Sequence, residues 1–352
     1  MTTKVLVVDD SAVVRKVLQR GLDRDPAIEV VGTAPDPYKA RDMIVELEPD
    51  VLTLDIEMPR MDGITFLGKL MEHKPLPVVV VSSLSGGGSK VAMRAMENGA
   101  VEVVAKPSTN VASGLKEMSQ ELADKVKAAA RVNIYKYRQR YRQKGAKKMD
   151  KDVLSGVKAT DTIIAIGSST GGVQALKRVI PRLPPSTPGI LIAQHMPAGF
   201  TTQFAGRLDG LSSMQVKEAK NGDRVRPGLV LLAPGNYHLM LKRRGARYEA
   251  RVKQGPRVCH QRPSADVLFK TVAREAGVNG IGVVLTGMGG DGARGLKMMH
   301  DKGARTIAQD EETSVVFGMP KIAIEKGGVD TVVPLNNIPE QIIKYVKELS
   351  AT

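Results

Sequence analysis

The sequence predicts an α/β protein with two domains, each built on an open, mostly parallel sheet. Its 352 residues correspond to about two domains at roughly 100–200 residues each. Short β-branched runs alternate with stretches whose apolar residues recur at helical spacing, the pattern of successive βα units. The strand runs are continuously apolar rather than alternating, as expected where helices cover both faces of a parallel sheet.

The first strand is predicted over residues 4–8, followed by a helix with Val13, Val14, Val17 and Leu18 on one face. Strands over 29–32, 51–54, 77–81 and 101–104 complete a set of five, with helices carried by Ala40, Met43, Ile44 and Leu47 and by the stretches 64–71 and 90–98. Residues 111–158 change character. A helix-forming stretch over 115–130 runs into RVNIYKYRQRYRQKGAKKMDK, which has little to bury and reads as a partly helical interdomain linker. Alternation restarts at Thr162, with strands over 162–166, 189–193, 229–233 and 280–285 and helices over 173–180 and 265–276. The expected division is a first domain over 1–110 with a boundary as far as about 130, a linker over 111–158, and a second domain over 159–352.

Composition narrows the class. With 42% hydrophobic and 25% charged residues the chain forms cores, so long disorder is excluded as its main character. A single cysteine, Cys259, excludes an intrachain disulfide. The start, MTTKVLVVDD, is unlike a signal peptide, and no apolar run approaches the ~18 residues of a membrane span, so a cytoplasmic protein without membrane insertion is expected. The net charge of +15 would suggest nucleic acid if it were evenly spread. It is not: residues 1–110 hold 13 basic and 16 acidic side chains, 111–158 hold 13 and 5, and 159–352 hold 26 and 16. Tyr135, Tyr137 and Tyr141 among the linker's basic residues could stack on bases. The α/β unit that follows is far larger than a helix-turn-helix reader, and no nucleic-acid partner is expected.

Two constellations carry chemistry. In the first, Asp9 and Asp10 end the first strand, Asp55 the third, Ser82 the fourth and Lys106-Pro107 the fifth, so all gather at one sheet edge. Packed carboxylates call for a hard divalent cation such as Mg²⁺. A carboxylate beside that cation can accept a phosphoryl group, with Lys106 stabilising the charge. Singly, each group has an ordinary reading: Asp10-Ser11 is an N-cap signal and Asp55 a turn residue. Their joint placement distinguishes them. This pattern resembles the receiver domain of two-component response regulators, a flavodoxin-like five-stranded fold. The resemblance implies phosphorylation of Asp55, Mg²⁺ held by Asp10, Asp55 and the backbone carbonyl of Glu57 with Asp9 nearby, and a switch pair of Ser82 and Lys106. Val103 stands where many receivers carry a switch aromatic, which speaks against an aromatic-flip output.

In the second constellation, the strand over 162–166 runs into Gly167-Ser168-Ser169-Thr170-Gly171-Gly172 and then a helix. A tight strand-to-helix turn exposes a hydroxyl and aims backbone N–H groups at a developing anion; the same turn could bind a phosphate or only close a bend. Of five histidines, only His195, in Gln194-His195-Met196-Pro197, ends a strand. Asp291, in Thr286-Gly287-Met288-Gly289-Gly290-Asp291-Gly292, can orient its imidazole. The order Ser, His, Asp differs from that of α/β-hydrolases. Cys259 beside His260 is a rival nucleophile, disfavoured because neighbours in an extended segment point to opposite faces. Arg257 and Arg262 nearby either meet substrate carboxylates or form a solvated basic face.

GSSTGG, QHMP, TGMGGDG, APGNYH, CHQRPSADVLF and AQDEETSVVFGMP closely resemble the catalytic domain of the chemotaxis protein-glutamate methylesterase family, CheB, which couples a receiver to this domain. The resemblance covers nearly the whole chain. It implies Ser169 as nucleophile, His195 as base, Asp291 as its carboxylate and the Met288 backbone N–H as oxyanion donor; apart from the resemblance, the Gly-rich turn offers Thr170 as a further candidate donor. Ser168 stands where alanine is frequent, leaving open which serine attacks. The resemblance also implies demethylation of glutamate methyl esters on chemoreceptor cytoplasmic domains, glutamine deamidation as in some relatives, and a chemotaxis histidine kinase as phosphodonor. No cofactor is expected for the esterase step. An acidic receiver joined to a basic catalytic domain suggests docked states in which the unmodified receiver covers the entrance near Ser169.

Overall fold

The computed structural model describes residues 2–83, 88–106, 111–135, 137–138, 149–150, 153–154, 156 and 161–351, with the backbone alone at 111–117. The chain divides into two units, Met1–Gln143 and Lys144–Thr352.

In the first unit β1 (Thr3–Val8), β2 (Ile28–Ala34), β3 (Val51–Asp55), β4 (Val78–Ser82) and β5 (Glu102–Ala105) pair in parallel in the order β2-β1-β3-β4-β5. Between them run α1 (Ala12–Leu22), α2 (Pro37–Leu47), α3 (Gly63–His73) and α4 (Gly88–Glu97), and α5 (Val111–Ala130) follows β5. Val5–Val7 of β1 and Val78–Val80 of β4 are fully buried, each such side chain contributing about 1.5–3 kcal/mol; burial on both faces is why these strands read as unbroken apolar runs. Ser11, Asp36 and Asp62 cap α1, α2 and α3 by accepting from first-turn N–H groups. The strand order reverses between β1 and β3, which opens a crevice at their carboxyl ends.

One feature departs from the sequence reading. Val13 is 73% exposed while Leu18 and Leu22 are buried; five residues place Val13 about 140° around the helix from Leu18, off the packed face. The helix foreseen in the linker is α5, and it packs against α1, β3, β4 and β5. The approach to α1 is so close that a Cβ on Gly21 would fall 2.3 Å from Ser119 Oγ. Beyond α5, Val132, Ile134 and Tyr137 are buried, and the Tyr137 hydroxyl donates to the Ala100 carbonyl at 3.2 Å. Tyr135 is exposed; Pro107 and Tyr141 lie outside the described residues.

The second unit contains β6 (Ile163–Ser168), β7 (Gly189–Gln194), β8 (Gln215–Glu218), β9 (Arg224–Val225), β10 (Leu229–Leu232), β11 (His238–Arg244), β12 (Arg247–Lys253), β13 (Gly280–Val284), β14 (Arg305–Gln309) and β15 (Thr331–Val333). Seven of these form a parallel sheet in the order β15-β14-β13-β6-β7-β10-β8. Its helices are α6 (Gly172–Val179), α7 (Phe200–Asp209), α8 (Ala265–Glu275), α9 (Ala293–Asp301), α10 (Met319–Glu325) and α11 (Ile338–Ala351). From β6 the chain first builds outward through β7 and later returns to add β13 on the other side. The carboxyl end of β6 is therefore the switch point where ligands of such sheets bind. A separate antiparallel sheet, β11-β12-β9, was not foreseen. Leu239 and Leu241 of β11 and Tyr248 and Ala250 of β12 are buried, and their alternation on either side of Gly245 is the signal that identifies the hairpin.

Candidate active site and acid pocket

The β6–α6 turn is shaped by its glycines. Gly171 adopts φ +80°, and a Cβ there would fall 2.5 Å from Val315 Cβ, so both conformation and space require glycine. The two serines of the turn face different surroundings. Ser168 is fully buried, and its hydroxyl lies 2.6 Å from Gln194 Oε1, to which it donates. Ser169 follows the strand and is half-buried; its N–H donates to the Thr286 carbonyl at 3.0 Å, and its carbonyl accepts from the Gly172 N–H at 2.7 Å.

His195 is brought to this turn by the β6–β7 pairing, which continues as its N–H donates to the Ser168 carbonyl at 3.0 Å. The imidazole is buried, and its Nε2 lies 2.8 Å from Asp291 Oδ2. A carboxylate can only accept, so Nε2 carries the ring proton and Nδ1 the lone pair. Among the described residues, Nδ1 has no hydrogen-bond partner. Asp291 also accepts from the Ala265 N–H (2.6 Å), the Ser264 hydroxyl (2.7 Å) and the Asp266 N–H (3.2 Å), all at the start of α8. Burial pushes its carboxyl up, but the bonds from His195, Ser264 and Ala265 outweigh this and hold it below the ordinary carboxylate range. The fixed anion orients the imidazole and stabilises its protonated form.

The loop after β13 lies against the serine turn: a Cβ on Gly287 would fall 2.7 Å from Ser169 Cβ. Met288 is the next residue, and among the described residues its N–H donates to no backbone carbonyl. Thr286 ties these segments together. Its hydroxyl donates to the Thr170 carbonyl at 2.9 Å and accepts from the Val315 and Val316 N–H groups at 3.0 Å. Ser169, His195, Met288 and Asp291 thus gather at one sheet edge. Gln194, Ser264 and Thr286 surround them and escaped sequence reasoning because each passes for an ordinary strand-end or capping residue.

Cys259 does not lie in an extended segment. It and His260 have φ values of +50° and +62° and form the tip of a two-residue turn closed by Val258 and Gln261. Burial, then the nearby Asp291 and Asp266 carboxylates, push the exposed Cys259 thiol up, which disfavours the thiolate a nucleophile needs. Arg262 is committed to the scaffold: its guanidinium holds the Asn236 side chain at 2.9 Å and the Gly255 carbonyl. Arg257 Nη1 lies 3.4 Å from the His260 carbonyl.

In the first unit, Lys106 Nζ bridges Asp9 Oδ2 at 2.8 Å and Asp55 Oδ2 at 2.7 Å. The Ile56 N–H donates to Asp55 Oδ1 at 2.7 Å and the Ser11 N–H to Asp9 Oδ1 at 2.9 Å. Ligand atoms of Asp9, Asp10 and Asp55 lie within 4.8 Å of one another, an all-oxygen set that fits a hard divalent cation. Since Ser11 caps α1, the Asp10 carboxylate is not needed for capping. Ser82 is buried at the end of β4, where its carbonyl accepts from the Lys106 N–H at 2.8 Å. At the switch-aromatic position Val103 is buried, and Lys125 Nζ donates to its carbonyl at 2.6 Å. Glu57 lies two residues after Asp55, its N–H 3.4 Å from Asp55 Oδ1.

Known proteins match both units of the chain. A family model for CheB methylesterase matches residues 164–342, and one for the response regulator receiver domain matches residues 5–114. A protein-glutamate methylesterase/protein-glutamine glutaminase of Syntrophus aciditrophicus is 54% identical over 344 residues, covering 97% of this chain and 99% of that protein. A protein of the same name from Syntrophotalea carbinolica is 50% identical, covering 98% of each. The crystal structure of the Thermotoga maritima CheB methylesterase catalytic domain is 43% identical with a TM-score of 0.51, covering 52% of this chain and 97% of that one. With a receiver carrying a carboxylate pocket at one end and a Ser-His-Asp edge in the matched second unit, this chain belongs to the CheB methylesterase family.

Proposed function

We propose that the second unit is a serine hydrolase that cleaves glutamate methyl esters on chemoreceptor cytoplasmic domains, and that the first unit controls it through phosphorylation of Asp55. Ser169 Oγ attacks the ester carbonyl carbon while His195 Nδ1 takes its proton. The Met288 N–H, with Thr170 as a second candidate donor, holds the oxyanion. Collapse expels the methoxy group, which receives the proton from His195 and leaves as methanol. Water, giving a proton to His195, then attacks the acyl-enzyme; the acyl–oxygen bond breaks, and His195 returns that proton to Ser169 Oγ as glutamate leaves. Ammonia as leaving group in place of methanol gives the deamidation named for the relatives. The observation that carries this reading is the buried His195–Asp291 pair at 2.8 Å, whose second ring nitrogen has no partner among the described residues, at the sheet edge where Ser169 follows β6. Ser168, whose proton is committed to Gln194, is the poorer nucleophile.

In the receiver, Asp10, Asp55 and the Glu57 carbonyl, with Asp9 beside them, would hold Mg²⁺, which when bound neutralises charge during phosphoryl transfer. Lys106 then stabilises the phosphoryl group and Ser82 hydrogen-bonds its oxygens. A chemotaxis histidine kinase is the phosphodonor, and the cytoplasm, where kinase and receptor tips meet, is the compartment. No helix among the described residues is long and apolar enough to cross a membrane. The test is methanol release from methylated receptor membranes, comparing the intact protein, Ser169→Ala, and Asp55→Asn with a small phosphodonor. Undiminished release by Ser169→Ala refutes the assignment.

A further inference from the structure

We propose that Gln194 is a positioning residue for the hydrolysis, a buried amide clamp that sets the nucleophile turn against the base. The proposal rests on the assignment of Ser169 and His195 above. Gln194 is the last residue of β7, paired in register with Ser168, the last of β6. One step further, both chains leave the sheet and carry Ser169 and His195. At that divergence the Gln194 Nε2 donates to the Ser169 carbonyl at 3.0 Å and to the His195 carbonyl at 3.1 Å, while Oε1 accepts from Ser168 Oγ at 2.6 Å. The amide orientation follows from its surroundings, because two carbonyl oxygens can be met only by the NH₂ group.

All three side-chain bonds are made in a site where Gln194 is 2% exposed, so an unmet donor or acceptor there is costly. The turn is built around this side chain. A Cβ on Gly172 would fall 2.1 Å from Gln194 Oε1 and 2.8 Å from Ser168 Cβ, which accounts for the second glycine of Gly171-Gly172. The backbone ladder between the strands ends with the His195 N–H on the Ser168 carbonyl; past it, this amide ties the carbonyls of nucleophile and base together. It touches neither substrate nor reacting atoms and acts through the two residues it holds.

The experiment measures the second-order rate of Ser169 labelling by a fluorophosphonate, with kcat and KM for methanol release, in the full-length protein carrying Gln194→Ala or Gln194→Glu. A displacement of about 1 Å between nucleophile and base costs about a hundredfold. Gln194→Ala should therefore lose about that factor in labelling rate and kcat, with KM little changed. In Gln194→Glu the neutral carboxyl can still donate to one carbonyl, whereas the ionised form repels both. Its labelling rate should fall as pH rises, a limb that the native protein lacks. Native rates and a native pH profile in both variants overturn the proposal. So does failure of both variants to fold, which would make the amide a support of the domain rather than of the catalytic pair. Labelling of the native protein and not of Ser169→Ala tests the underlying assignment separately; if native Ser169 is not labelled, that assignment falls and the clamp with it.

Discussion

Replacing Asp291 by asparagine isolates the charge behind His195. The carboxylate accepts four hydrogen bonds, from His195, Ala265, Ser264 and Asp266, at a site 2% exposed. Alanine would strand all four donors at about 1–3 kcal/mol each, a large part of the roughly 5–15 kcal/mol that holds a domain together, and would confuse unfolding with catalysis. Asparagine keeps the shape. Its oxygen can retain the His195 and Ala265 donors while its NH₂ turns to the Ser264 hydroxyl, leaving the Asp266 N–H as the group in conflict. What disappears is the charge-assisted bond to a protonated imidazole, worth about 1.5–3 kcal/mol, or about ten- to a hundredfold in rate. If the amide instead turns its NH₂ toward Nε2, the ring must take the other tautomer, Nδ1 loses its lone pair, and the loss approaches ~10⁴ as in other triads. Asp291→Asn should therefore lower kcat for methanol release by about 10- to 10⁴-fold and slow fluorophosphonate labelling of Ser169 in parallel. A folded Asp291→Asn protein that labels and turns over at the native rate would refute the role given to this carboxylate.

Other outcomes follow from the same geometry. Asp55→Asn should keep basal esterase activity and lose its response to a small phosphodonor, read as methanol release with and without the donor. Deleting residues 1–150 should raise basal esterase activity if the unmodified receiver restrains the second unit, whose core is its own; an unchanged or lower rate in the folded fragment counts against restraint. Gly171→Ala places a side chain at φ +80° and against Val315, so urea denaturation should show a loss of about 1–3 kcal/mol together with reduced Ser169 labelling. Because the folded-state Asp291 carboxyl lies below its unfolded value of ~3.9, its contribution to stability is complete above that value and lost as pH falls through the folded one. Urea midpoints taken from about pH 5 to 3 should fall more steeply for the native protein than for Asp291→Asn; equal slopes would count against a depressed carboxyl.

The sequence by itself determined the two parallel sheets and the strand ends that carry chemistry. Buried parallel strands must be continuously apolar, and polar groups such as Asp9, Asp55, Ser169 and His195 can appear only where those runs stop, so period and punctuation locate both sites. Long-range packing decided the rest. Whether Ser168 or Ser169 faces outward depends on a glutamine 26 residues away from Ser168. The ring nitrogen that serves as base depends on where α8 holds Asp291. The β11–β12 hairpin escaped because its alternation lies within a basic, turn-rich stretch, and Val13 was misplaced because it lies about 140° around the helix from Leu18, outside the stripe that packs. Hydrogen-bond geometry between distant segments is set by the order in which strands assemble, and no local spacing encodes that order.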